Sequence, residues 1–300
     1  MEAWILITVC AAFFQNVRTA LQKYLKDRLS TGGATYVRFF FGMPFAILYI
    51  FFLHKGIGYS IPELNLEFGF YVVLGGLAQI IATALLVALF SFKNFAVGTT
   101  YSKTETVQAA IFGLVLLGDT LSAPAIVAIV ISFVGIIFIS ASGGKLTAKE
   151  ILTGWTGKPA LYGLLSGGFF GISAVAYRAG ALSLDGEGAV IQAAMTLAWV
   201  LVFQTVVMTV YLRIFETGQL TTVLKSWKIA IWVGVTGMAG SVGWFTAMAL
   251  QNAAYVRAVG QIELVFTFFI SYVYFKEKVT RLELAGILLI VFGILIFVLK

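Results

Sequence analysis

Long apolar runs separated by short polar breaks dominate the chain. Ten runs follow one another, near residues 3–22, 33–53, 68–91, 95–117, 121–141, 159–181, 188–212, 227–250, 253–275 and 282–299. Each is roughly 19 to 25 residues long, which is what a helix rising 1.5 Å per residue needs to cross a hydrocarbon core of about 30 Å. The pattern predicts an all-α integral membrane protein with ten transmembrane helices and short connections. The first run lacks a basic start and a small-residue cleavage site, so it reads as a permanent span rather than a removed signal.

Two stretches of the chain match at a constant offset of 158 residues. KNFAVGTTYSKTETVQ from Lys93 aligns with QNAAYVRAVGQIELVF from Gln251, and GDTLSAPAIVAIVISFVG from Gly118 with KEKVTRLELAGILLIVFG from Lys276. Asn94 thereby meets Asn252, Glu105 meets Glu263, Asp119 meets Glu277 and Gly135 meets Gly293. The division that follows is one five-helix repeat over 1–142, a cytoplasmic linker over 143–158 and a second repeat over 159–300. Because five is odd, the second copy enters the membrane upside down. That is the inverted-repeat plan of many secondary transporters, with a central cavity between the copies near the midplane.

An acidic residue closing one span, a short turn, then a span with glycine toward its end occurs twice here. Together with ATYVRFFFG, which places Arg38 in the second span, this pattern resembles the EamA branch of the drug/metabolite transporter superfamily. The resemblance covers the whole chain and implies ten helices around a cavity that opens alternately to each side. Many relatives carry proline in the middle of the fourth and ninth spans. This chain has Thr106 and Leu264 there, each directly after a glutamate, so its sequence supplies no helix breaker at that depth.

Composition excludes a soluble globule. Of 300 residues 60% are hydrophobic and 11% charged, with mean hydropathy +0.99, against about a quarter charged in soluble domains. The net charge of +7 is spread over separate loops rather than gathered into a nucleic-acid footprint. Thirteen Lys and Arg fall in alternate connections, among them Lys23, Lys26, Arg28, Lys145, Lys225 and Lys276, whereas the opposite side holds Lys55 and Lys300. The positive-inside rule makes the first set cytoplasmic and puts both termini outside a plasma membrane, the bacterial inner membrane in the family's setting.

An ionised group at bilayer depth costs at least about 2.5–3.5 kcal/mol, so Glu105 and Glu263 need a cavity or a partner. On one continuous helix Tyr101, Glu105 and Gln108 share a face. The matching face of the second copy, Gly260, Glu263 and Thr267, is drier, so Glu105 is expected to be the more hydrated. Lys103, two residues away, points oppositely and either snorkels or pairs with another span. The glutamates read either as proton-coupling groups or as interhelical salt bridges. Arg18, Arg38 and Arg257 read either as ligands for an anionic or zwitterionic substrate or as counter-ions to the glutamates. Arg178 is open to the same two readings and, near the end of its span, also to a third, as a snorkelling residue. Gln15 and Asn16 follow Phe13 and Phe14 and offer an amide and an aromatic element at one depth. With Gln79, Gln192, Gln261 and Trp244 they are candidates either for holding a planar ligand or for helix-to-helix hydrogen bonds of about 0.6 kcal/mol each. Glycines recurring at Gly163, Gly167 and Gly171, and at Gly234, Gly237, Gly240 and Gly243, read as close-packing surfaces.

With one histidine and one cysteine, no metal site of ordinary spacing can be written, and no cofactor is expected. No phosphate loop, HExxH or GxSxG is present, which argues against an ATP-driven pump, a protease or a hydrolase. The expected activity is therefore not enzymatic. It is secondary transport of a small organic metabolite by alternating access, first as export of amino acids or amphipathic compounds driven by a proton gradient or by exchange. The alternatives are import or exchange of a metabolite, then a channel or a lipid scramblase. The expected partners are substrate, membrane lipid and protons, with the chain as monomer or homodimer.

Overall fold

The computed structural model describes residues 2–89, 101–142, 157–186, 188–273 and 280–298. Most of the expected linker, together with Asn94 and Glu277 of the repeat, lies outside the described residues. Within them the protein is all-helical: α1 (Ala3–Leu25), α2 (Thr31–Phe51, continued by a π-helical turn Phe52–Ile57), α3 (Leu66–Leu89), α4 (Glu105–Leu117), α5 (Ala123–Ser142), α6 (Lys158–Leu182), α7 (Ala189–Phe215), α8 (Gln219–Lys225), α9 (Trp227–Leu250), α10 (Ala253–Gly260), α11 (Ile262–Val273) and α12 (Arg281–Val298). The helices Ala3–Leu25, Thr31–Ile57, Leu66–Leu89, Lys158–Leu182, Ala189–Phe215 and Trp227–Leu250 are long and apolar enough to cross a membrane.

Local chemistry sets the ends. Ser30 caps α2 by accepting from Gly33 N (2.9 Å), and Asn252 caps α10 by accepting from Ala254 N (2.8 Å). Gly118, at φ 66°, ends α4 in the left-handed conformation that glycine adopts without strain, while Asp119 N returns to Gly113 O (3.1 Å).

Two expected spans are not continuous helices. Residues 103–104 form a turn ahead of α4, and Gln261 separates α10 from α11. Neither break needs proline, because a side chain reaches back to a carbonyl at each. Thr104 Oγ1 donates to Tyr101 O (2.6 Å) and Gln261 Nε2 to Arg257 O (3.3 Å). The breaks fall at Lys103 and Gln261, which the 158-residue offset makes equivalent.

Inside lipid, helices associate through close packing and hydrogen bonds rather than a hydrophobic drive. The main pairings are α1 with α9, α3 with α6, α5 with α12 and α2 with α7. Small residues make them possible. A Cβ on Gly135 would stand 2.6 Å from Gly286 O across the α5–α12 contact, and one on Gly293 would stand 2.9 Å from Ala128 O. A Cβ on Gly243 would stand 3.2 Å from Ile7 O and one on Gly237 3.3 Å from Arg18 Cδ, so α9 runs antiparallel to α1. The Gln251 end of α9 is therefore opposite the Lys23 end of α1.

Candidate functional site

A cavity of about 340 Å³ lies where α1, α2, α3, α6, α9, α10 and α11 meet the turn before α4. That volume is in the range of small-molecule sites. It reaches the Lys23 end of α1, where Ala20 and Lys23 are exposed. Toward the opposite end, Arg178, a candidate for snorkelling, ties α6 to the end of α9 and to the turn after α4. Its Nη1 donates to Met248 O (2.8 Å) and Gln251 O (2.9 Å) at the end of α9, and its Nε stands 3.4 Å from Asp119 Oδ2 just after α4.

Both mid-span glutamates line the cavity, and each is paired with a cation from the other half of the chain. Arg257 Nη1 stands 3.7 Å from Glu105 Oε1, and its guanidinium lies over the Trp244 ring at 5.0 Å. Lys103 forms an ion pair with Glu263, whose other oxygen accepts from Gln15 Nε2 (2.9 Å). Asn16 Nδ2 donates to the Glu263 carbonyl (3.2 Å). Side-chain exposure is 11% for Glu105 and 14% for Glu263, so the expected difference in hydration is not there. The drier-looking second copy borrows its polar surroundings from α1, which no spacing within the span reveals.

The expected face of Tyr101, Glu105 and Gln108 does not form, because the turn at 103–104 separates Tyr101 from α4. It also frees Lys103 from the opposite-face geometry of a helix, so Lys103 and Glu105 both reach the cavity. Tyr101 is buried outside the cavity wall. Gln108 turns to Thr104 Oγ1 (2.7 Å) and Leu164 O (3.3 Å), and Gln261 to Thr106 Oγ1 (3.0 Å), so both amides bind helices together. Gln192 caps the preceding loop through Leu184 O (2.6 Å).

Gln79 reaches the cavity within a buried network. Tyr177 Oη, with one proton to donate, lies within hydrogen-bond reach of both Gln79 Oε1 (2.8 Å) and Gly75 O (3.0 Å), and Gln204 Nε2 donates to the same Gln79 oxygen (3.0 Å). Tyr177 stacks on Phe245 at 4.3 Å between centroids, which adds an aromatic wall to that of Trp244. Sequence reasoning missed Tyr177, Gln204 and Phe245. A polar atom in the middle of a span was the available signal for the first two, while a phenylalanine among 27 carried none.

Arg18 and Arg38 are each 6% exposed and line the cavity from α1 and α2. Their stems converge on Gly237 of α9, where a Cβ would stand 3.3 Å from Arg18 Cδ and 3.7 Å from Arg38 Cγ. Among the described residues neither guanidinium has a carboxylate or a hydrogen-bond partner, and Nε of each is buried without one.

Residues 2–141 and again 157–299 match the EamA-like transporter family. No curated protein matches the chain. A solved structure described only as "Crystal structure of protein" superposes with a TM-score of 0.74 at 14% identity, covering 99% of this chain and 96% of the other. That likeness shows a shared fold.

Proposed function

The chain belongs to the EamA-like transporter family, and from that premise we propose that it is a secondary carrier moving a small organic metabolite by alternating access between two inverted five-span repeats. It is a multi-pass membrane transporter and not an enzyme. The observation that carries the finer reading is the central cavity, walled by both halves and reaching the Lys23 end of α1, with the Arg178 contacts to the end of α9 and to Asp119 toward the other end read as the closed gate. The inverted arrangement is supported by the helix pairings. A two-fold relation that exchanges the halves carries the α1–α9 contact onto the α6–α3 contact and returns α5–α12 to itself. The family pattern also falls once on each half.

Exchange of solutes fits the cavity better than proton coupling. Both carboxylates of the wall are already engaged by cations, whereas Arg18 and Arg38 are uncompensated when the cavity is empty. Turning an empty cavity through the membrane therefore carries an electrostatic penalty that a bound solute offsets. The test is uptake into proteoliposomes of labelled amino acids and carboxylates, presented one at a time with and without the same solute inside. Saturable uptake accelerated by internal solute is expected. Uptake linear in concentration, indifferent to internal solute and accompanied by ohmic conductance would mean a channel instead.

A further inference from the structure

Resting on the carrier reading of this cavity, we infer that its substrate is a net-anionic organic molecule whose carboxylate or phosphate lies between Arg18 and Arg38, with its apolar body against Trp244 and Phe245. The charges of the wall are unequal. Arg18, Arg38, Lys103 and Arg257 stand against Glu105 and Glu263, and Lys23 adds a further cation at the mouth. Glu105 is taken by Arg257 and Glu263 by Lys103. What remains is two guanidinium groups, both nearly inaccessible, with no acid to neutralise them among the described residues.

Hydrogen bonding points the same way. Among the described residues, the buried side-chain atoms of the cavity wall that lack a hydrogen-bond partner are Arg18 Nε, Arg38 Nε, Arg257 Nε and Trp244 Nε1, and every one is an N–H donor. A site whose unmet groups are all donors calls for a ligand rich in acceptors. The guanidinium fork matches the flat, two-oxygen geometry of a carboxylate or the face of a phosphate, and charge-assisted bonds of this type are the strong ones. Both stems also pass over Gly237, where a Cβ would stand 3.3 Å from Arg18 Cδ and 3.7 Å from Arg38 Cγ, so a side chain much larger than alanine would press on them. A zwitterion brings an ammonium group into a wall already in excess of cations, with both carboxylates occupied, so a net anion is preferred.

The test is ligand-dependent thermal stabilisation of the purified full-length protein in detergent, using probes that share one ring and differ in charge: phenyl phosphate, benzoate, zwitterionic phenylalanine and benzylamine. A ligand that binds only the folded state raises the unfolding temperature by an amount that grows with the logarithm of its concentration over its dissociation constant. Stabilisation by phenyl phosphate and benzoate at millimolar concentration is expected, weaker by phenylalanine and absent with benzylamine. Arg18→Gln and Arg38→Gln should each weaken the anions by about 10- to 100-fold, and Arg18→Lys should recover part of the loss. The wild-type charge series needs no variant to fold. Phenylalanine or benzylamine binding as well as the anions, no stabilisation by either anion, or arginine variants that bind the anions unchanged would each overturn the inference. So would stabilisation by phosphatidate in mixed micelles that neither soluble anion reproduces, which would assign the pair to a lipid headgroup. Binding is read without transport, so these outcomes are separate from those of the uptake assay.

Discussion

Replacing Glu105 with glutamine keeps the size and hydrogen-bonding capacity of the side chain and removes its charge, leaving Arg257 buried opposite a neutral group. The pair stands at 3.7 Å with side-chain exposures of 7% and 11%, so solvent screening is weak. With an effective dielectric constant near 20, unit charges at that distance attract by roughly 4–5 kcal/mol. Breaking a buried pair from one side is measured at about 3–5 kcal/mol. The Trp244 face, 5.0 Å from the guanidinium, retains about 0.5–2 kcal/mol of attraction and does not make up the difference. Glu105→Gln should therefore destabilise the protein by about 3 kcal/mol, Arg257→Gln by a similar amount, and the double variant by less than their sum, with a coupling of about 1–3 kcal/mol. The assay is reversible unfolding in mixed micelles by increasing the fraction of denaturing detergent, followed by far-ultraviolet circular dichroism. Additive single effects would refute the ion pair as a link between the halves.

Gly167→Ala should destabilise the protein by about 1–3 kcal/mol in the same assay, since the new Cβ would stand 2.7 Å from Ser102 O and backbone at the turn before α4 yields only at a cost. Tyr177→Phe keeps the stack on Phe245 but removes the donor to Gln79 and Gly75, a loss of about 1–2 kcal/mol in unfolding free energy. Gly237→Leu leaves every charge in place while displacing the Arg18 and Arg38 stems, and it should abolish benzoate stabilisation; unchanged benzoate binding would show that α9 does not position them.

Much of this architecture is legible in one dimension. Run length marks the six helices long and apolar enough to cross a membrane, and the family pattern falls once on each half, 2–141 and 157–299. The cavity likewise gathers Gln15, Asn16, Arg18, Arg38, Gln79, Lys103, Glu105, Trp244, Arg257 and Glu263, because charge and amide groups at bilayer depth have few other places to go. What spacing within a span does not reveal is partnership across spans. Lys103 finds Glu263 and Gln15 finds the same carboxylate only after distant helices meet. The helix breaks were hidden for a related reason. Threonine and glutamine rather than proline occupy them, and what stabilises each break is a side chain reaching back to a carbonyl, a local bond with no compositional mark.

Access to the cavity from each face is the most direct measure of the carrier account. Ser241 is 5% exposed and lines the cavity, so Ser241→Cys in a Cys10→Ser background can be labelled by a membrane-impermeant maleimide applied to one face of the membrane at a time. With Arg178 in place the reagent should react faster from the Lys23 face. Arg178→Ala should raise the rate from the opposite face and lower it from the Lys23 face, because one population grows at the expense of the other. A cysteine inert from both faces, or rates that Arg178→Ala does not move in opposite directions, would contradict the account.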